Sequence, residues 1–600
     1  MRTGLIWLTA LGAFSMLGAA GADLRSLDEP DPERGARVAW HREARFGCFV
    51  HWGVYSALGN EFRGQRGWIY AEHIMRVIPI PLAVYRDEVA RSFFPERFDA
   101  EGWVRQMHAA GMRYLVITAK HHDGFAMYPS RVSDFNLTEV SRFKRDPMAE
   151  LRNACDKYGL KFGFYYSHAF DWEHPDAPGN DWDYANPAGD RKLGGVRWWE
   201  NHPDWLVRIR RYIDSKSIPQ IRELVERYRP DLLWFDTPDK LPEEENRRIL
   251  AAVRAMAPSV VVNGRIVANH GDYRNTNDRP VYVRESPGHW EAIPTTNESY
   301  AFSRFDHSHK TAAHFIRLLA QCVAKGGNML LNIGPRGDGD IDEPDQRILA
   351  GLAGWMDRYA ESIHGGDRSP LPVQDWGVST RRGNRLYLHV FDWPSDGKLW
   401  VAGLRTDPRA IRLLGERDGV VSAQRVGPDD MVLTVPKAAP DPTNSVLALD
   451  FSGEIGTTSA RLFGAGGKST RLHVFDGRPV GAGMVFGDGK AGRDVIERWS
   501  THSTGIAWPV RVMTAARYRL TVSYNTARPT DGGRFLVRAA GRAVAAQVVQ
   551  SSDSTQFREQ QIGEITLPAG EWTLEVIAEK VVGESLMRLR YLELDPLPQN

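Results

Sequence analysis

The chain is predicted to be an α/β protein: a (β/α)8-like barrel over residues 38–366, followed by two β-sandwich domains at 370–453 and 466–598. Three observations predict it. Between Trp40 and His364 short apolar runs alternate with amphipathic stretches of helical length, as parallel strands joined by crossover helices require. That alternation is long enough to close a barrel of ~250 residues with insertions, and suits it better than an open sheet. After Gly365 helical periodicity stops, and short strands separated by turn residues remain.

In chain order, strands are expected at 46–51, 114–118, 161–166, 232–235, 260–262, 281–283 and 329–333, each a run dominated by Val, Ile, Leu or aromatic residues. Helices are expected at 148–158, 219–228, 243–256, 311–324 and 343–363, where apolar residues recur every three or four positions. Seven of eight barrel strands are thereby counted, and an incomplete barrel fits as well. Strands at 385–391, 399–401, 410–414 and 431–435 make the first sandwich, and Gly464–Gly467 reads as a linker. Strands at 516–524, 534–539, 560–567 and 572–578 make the second. Its Trp499, Trp508, Tyr518 and Tyr524 suit either a carbohydrate-binding module or the core of a structural sandwich; both readings stand at this point.

Composition narrows the function. With 76 Lys+Arg against 75 Asp+Glu the net charge is +1, which leaves no excess to hold a phosphate backbone, so nucleic acid is excluded as a partner. Nineteen Trp are a surplus that suits stacking on sugar rings. Residues 1–22 read as an export signal: Arg2, an apolar run from Leu5 to Leu17, and the small-residue site Ala20-Gly21-Ala22. The run is too short to span a bilayer, no later segment qualifies, and the protein is expected to be exported, to the periplasm or beyond the cell. Three widely spaced cysteines exclude a zinc ribbon and a disulfide scaffold and read as core residues.

In an α/β barrel the reactive groups stand at the C-terminal ends of the strands. There the sequence places His51-Trp52-Gly53, Lys120-His121-His122-Asp123-Gly124, Tyr165-Tyr166-Ser167, Asp236, Asn263-Gly264-Arg265 and the segment from Asn332 to Gly339. Aromatics with His, Arg and carboxylates fit a sugar site. His121-His122 with His51 and Asp123 also suggests a metal set, but neighbours on a strand face opposite ways, so hydroxyl contacts are the better reading and no metal is expected. Asp236 ends an apolar strand, where a carboxylate needs partners or a task; helix capping ahead of Pro238 is its other reading. Hydrolysis of a glycosidic bond with retention needs a second carboxyl ~5–5.5 Å away, and Glu285, Glu291 and Glu298 are candidates.

These segments, in this order, resemble glycoside hydrolase family 29, the α-L-fucosidases. The resemblance rests on Arg45-Phe46-Gly47-Cys48-Phe49-Val50-His51-Trp52-Gly53, Lys120-His121-His122-Asp123-Gly124-Phe125, Leu233-Trp234-Phe235-Asp236, Asn263-Gly264-Arg265 and the run from Lys325 to Pro335, and it covers residues 38–453. It implies a retaining exo-α-L-fucosidase without cofactor, acting on terminal fucosyl units of a fucosylated oligosaccharide or polysaccharide. Asp236 would be the nucleophile. His51, Trp68, His121, His122, Tyr166, Trp234 and Arg265 would line the sugar pocket. The family's Glu-Trp-Tyr is matched by Gly67-Trp68-Ile69-Tyr70, which keeps the Trp and lacks the Glu; Glu61 could supply it. Trp290-Glu291 is similar to one branch's acid/base segment, which selects Glu291, with Glu285 in reserve. A glycosidase for L-galactosides or modified fucosides, and a non-catalytic glycan-binding protein, are the alternatives. The oligomeric state is not read from the sequence.

Overall fold

The computed structural model describes residues 26–598 apart from 188–196, 269, 417–419 and 552, so the expected signal at 1–22 lies outside the described residues. Eight parallel strands form one sheet: β1 Phe46–Val50, β2 Tyr114–Lys120, β3 Lys161–Tyr166, β4 Leu232–Phe235, β5 Val261–Val262, β6 Arg274–Asp278, β7 Trp290–Ile293 and β8 Asn328–Ile333. Their order is β5-β4-β3-β2-β1-β8-β7-β6, and one parallel bridge between Asn263 and Tyr273 joins the two ends. The α/β barrel expected from the sequence is therefore present, with its seam between β5 and β6.

Alternation along each strand sorts the side chains. Phe49, Val116, Tyr165, Leu232, Trp234, Val261 and Leu330 pack together inside the ring. Cys48, Val50, Leu115, Ile117, Phe164, Leu233, Phe235 and Leu331 face outward into the layer of helices. Burial on both faces is why these strands read as continuous apolar runs, each large side chain contributing ~1.5–3 kcal/mol. The helices follow local signals. Asp99 caps Ala100–Ala109, Asp146 with Pro147 starts Pro147–Tyr158, and Thr311 caps Ala312–Ala324.

Two strands depart from expectation. Residues 281–283 form no strand; Tyr282 packs instead against the core of the C-terminal sheets. The ring is completed by β6, whose Arg-Asn-Thr-Asn-Asp carries no apolar residue, and by the short β7. Cys48, Cys155 and Cys322 are buried free thiols.

Beyond the barrel, a four-stranded sheet (Gly377–Arg382, Arg385–Val390, Ser445–Asp450, Ala410–Leu413) and a three-stranded sheet (Lys398–Ala402, Asp430–Thr434, Ser422–Gly427) share one apolar core. A further pair follows. Its first sheet is built on Gly505–Val512, Gly532–Ala539 and Gly570–Val582, its second on Ala516–Asn525, Arg558–Leu567 and Arg588–Pro596. Trp499, Trp508, Tyr518 and Tyr524 lie inside this second core, which fits the structural reading of those aromatics rather than a sugar platform. Arg461 pairs with Asp375 at 2.6 Å and Arg511 with Asp430, tying the last sheets to the middle ones. No helix among the described residues is long and apolar enough to cross a membrane.

Candidate active site

A cavity of about 440 Å³ opens where the strands end, and His51, His121, His122, Trp234, Asp236 and Arg265 all line it. Asp236 follows β4. Its Oδ2 accepts from the Tyr165 hydroxyl at 3.2 Å, and its Oδ1 accepts from the Thr237 N–H at 2.9 Å and Arg265 Nη1 at 3.0 Å. Thr237 has φ +54°, a left-handed conformation costly for a β-branched residue, and it lets the backbone turn its N–H onto the carboxylate. The Asp236 carboxylate thus serves the cavity instead of capping the turn Pro238–Lys240.

Arg265 holds a second carboxylate. Its Nη2 donates to Asp278 Oδ1 at 2.9 Å and to the Thr276 carbonyl at 2.9 Å, so Asp236 and Asp278 bind the two arms of one guanidinium. Burial raises the Asp236 pKa and the Asp278 charge adds to the rise, against Arg265. At Asp278 burial also acts upward, but Arg265, Lys490 and Arg279 outweigh it and the pKa falls below the ordinary value. The Arg265 guanidinium lies 5.1 Å from the Trp234 ring centre, and Tyr165 stacks on the same ring at 5.6 Å.

Opposite the carboxylates stand imidazoles. Burial pushes His51 down to about 3 against its hydrogen bond with Asn332, and holds His121 and His122 far below the ordinary value, with neighbouring positive charge adding to the effect. All three are neutral near pH 7 and can exchange hydrogen bonds with hydroxyls. His122 Nδ1 is fixed by the Ser167 hydroxyl at 2.6 Å, whereas the buried Nδ1 of His121 has no protein partner among the described residues. The strand argument against a shared site for His121 and His122 fails, because β2 ends at Lys120 and both residues follow it in a turn. With His73 they bring ring nitrogens within 4.8 Å of one another, a set that could hold an ion as well as hydroxyls.

Three expected residues lie off the cavity. Tyr166 faces outward and donates to Gln220 Oε1 at 2.9 Å; strand alternation presents Tyr165 in its place. Trp68 is 64% exposed and does not line this cavity. Glu291 is fully buried: Oε1 accepts from Tyr114 at 2.8 Å and meets His41 Nε2 at 3.1 Å, and Oε2 accepts from Trp234 Nε1 at 3.2 Å, Tyr273 at 3.1 Å and Asn275 at 3.2 Å. Register explains its place. Glu291 pairs with Asn328, the first residue of β8, toward the closed end of the barrel, whereas Asp278 pairs with Ile293 at the open end. The acid/base expectation for Glu291 is corrected on that ground. The reserve Glu285 is exposed and paired with Arg368.

Sequence reasoning missed Glu72, His73, Asp278, Tyr300, Asp488 and Lys490 among the lining residues, and it named the segments holding Tyr70 and Tyr165 without choosing those two. Glu72 lies five residues beyond Gly67 and lines the cavity; burial raises it to about 7, and it accepts the Ala301 N–H at 2.9 Å. Asp278 carried one usable signal, its position five residues after Tyr273 in a polar stretch that nothing else explained.

A parallel barrel with two carboxylates, an arginine between them and neutral histidines around a sugar-sized cavity defines a glycoside hydrolase. A family model described as Alpha-L-fucosidase matches residues 28–361, and tissue alpha-L-fucosidase of Rattus norvegicus is 30% identical over 463 residues, covering 72% of this chain and 93% of that protein. The chain belongs to the alpha-L-fucosidase family. Among solved structures, an alpha-L-fucosidase from Vibrio sp. strain EJY3 superposes with a TM-score of 0.76 at 28% identity, covering 94% of this chain and 98% of that one. A trapped covalent intermediate of an alpha-L-fucosidase from Bacteroides thetaiotaomicron with 2-fluoro-fucosyl fluoride superposes with a TM-score of 0.59 at 25% identity, covering 72% and 98%.

Proposed function

We propose that this protein is a retaining exo-α-L-fucosidase in which Asp236 is the nucleophile and Asp278 the acid/base. The observation that carries the reading is the single guanidinium of Arg265 bridging two cavity carboxylates. Asp236, held by three hydrogen bonds, attacks the anomeric carbon and forms a covalent fucosyl ester. Asp278 takes up a proton against the pull of Arg265 and Lys490, gives it to the leaving oxygen, and then takes one from the water that cleaves the ester. His51, His121, His122 and Glu72 hold ring hydroxyls, and Trp234 covers the apolar face of the sugar. Glu72 restores the carboxylate whose absence at Gly67 favoured another sugar, so fucose is the preferred substrate unit and a fucosylated glycan its source. Three units, 38–366, 370–453 and 466–598, and export directed by residues 1–22 complete the reading.

Hydrolysis of aryl α-L-fucosides and aryl L-galactosides tests it. The fucoside should be the faster, with the α-anomer released first in NMR. Asp236→Ala should lose roughly 10⁴-fold or more in kcat, and Asp278→Ala about 10²–10⁴-fold. Azide should restore turnover to Asp278→Ala, because it attacks the fucosyl ester without a base. No turnover in the wild type would favour a glycan-binding protein, and rescue of Glu291→Ala alone would return the acid/base role to Glu291.

A further inference from the structure

The cavity wall is not built from the barrel alone. Asp488 and Lys490 line it beside Asp236 and Asp278, although they belong to the connection between Met484–Phe486 and Ile496–Trp499 in the C-terminal sheets. The connection is seated on the barrel by its backbone: the Gly489 carbonyl accepts the N–H groups of Val281 at 2.8 Å and Tyr282 at 3.2 Å. A Cβ on Gly489 would fall 2.3 Å from the Tyr282 carbonyl oxygen, and its φ is +81°, so only glycine permits this approach. Around that point the Arg284 guanidinium lies 3.8 Å from the Phe486 ring centre, Tyr282 stacks on His473 at 4.1 Å, and Lys325 pairs with Asp476 at 2.7 Å. The clamped stretch 281–284 begins three residues after Asp278.

We propose that Asp488 and Lys490 form the leaving-group subsite, taking the neutral sugar from which fucose is cleaved through hydrogen bonds to its hydroxyls. The inference rests on Asp278 as proton donor, since the leaving oxygen must lie against that carboxyl and the rest of the leaving sugar must then extend past it. Asp488 pairs with Lys490 and Arg493, each at 3.2 Å, and Arg493 also pairs with Glu497 at 2.7 Å. The tip is therefore charge-balanced, which suits hydroxyls better than a sulfate or carboxylate. A donor and an acceptor held side by side match the alternating hydroxyls of a pyranose.

The full-length chain tests this with three substrates: an aryl α-L-fucoside, a cyclohexyl α-L-fucoside, whose leaving group needs a proton as a sugar does but has no hydroxyls to hold, and a fucosyl-hexose disaccharide. In Lys490→Met and in Asp488→Asn the ratio of kcat/KM for disaccharide over cyclohexyl fucoside should fall at least tenfold, with thermal unfolding unchanged. A ratio within twofold of the wild type, or a parallel loss on the disaccharide and the cyclohexyl fucoside, overturns the subsite. A larger loss on a sulfated disaccharide than on the neutral one overturns its assignment to a neutral sugar. A wild type inactive on the aryl fucoside overturns both this inference and the reading beneath it, which separates the two failures.

Discussion

At the scale of single residues, one arginine organises the chemistry and one glutamate organises the floor. Arg265 couples Asp236 and Asp278, so protons leave the pair in steps that belong to both. With Asp236 as the proposed nucleophile, raised by burial and its neighbour, kcat/KM on the acid side should fall at higher pH than an ordinary aspartate would dictate, because its protonation removes activity as pH drops through the raised value. Lys490 lowers Asp278, so Lys490→Met should raise the Asp278 pKa in a carboxyl 13C NMR titration; a pKa that stays in place would show that Lys490 does not act on Asp278. Glu291 works differently. Its oxygens satisfy donors from Tyr114, Trp234, Tyr273 and Asn275, and each buried donor left bare costs about 1–3 kcal/mol. Glu291→Ala should therefore lose at least ~3 kcal/mol in urea unfolding, with Glu291→Gln losing less because one acceptor survives.

At the scale of elements, the weakest place in the ring is its seam. A single bridge joins β5 to β6, and the Asn263 side chain reinforces it: Oδ1 accepts the Phe235 N–H at 2.8 Å, and Nδ2 donates to the Phe235 carbonyl at 2.9 Å and to Asn275 at 3.1 Å. Asn263→Ala should cost about 1–3 kcal/mol and lower kcat more than it raises KM, since Phe235 leads directly into Asp236. The same region marks the limit of what the sequence discloses. Strands buried on both faces, such as Phe46–Val50, Leu232–Phe235 and Asn328–Ile333, announce themselves as apolar runs, and the polar groups just beyond them point to the cavity. Strand β6 gives no such signal, because its Asn275 and Arg274 are satisfied by hydrogen bonds instead of apolar contact, and Asp278 goes unseen with it. The stretch 281–283 misleads in the opposite direction: Tyr282 packs against sheets far along the chain, and Val283 joins the barrel's own core without strand pairing. Glu291 misleads because its depth in the barrel depends on register, which no local pattern encodes.

At the scale of the whole molecule, several carboxyls are buried without a matching cation. Burial raises Glu72, Asp123 and Asp345 each to about 7. In the unfolded chain they titrate near 4, so between those values the folded state binds the extra proton. Their contribution to stability is complete below the unfolded pKa and is lost as pH rises through about 7. Buried neutral His51, His121, His122, His168 and His389 act with the opposite sign below about pH 6.5, because the unfolded chain takes up protons that they refuse. The melting temperature should accordingly rise from pH 5 to about 6.5, and Asp345→Asn should steepen that rise; an unchanged slope in the variant would show Asp345 to be ionised in the fold.

The seat of Gly489 on residues 281 and 282 also sets an order of events in the cell. A chain emerging from the ribosome can close its barrel as soon as β8 is made, yet the wall beside Asp278 stays open until the residues near 488 have arrived and the last strand, Arg588–Pro596, lets their sheets fold. The cavity is thus finished only once that strand is made, and a chain stopped short of it carries both carboxylates without the wall that Asp488 and Lys490 supply.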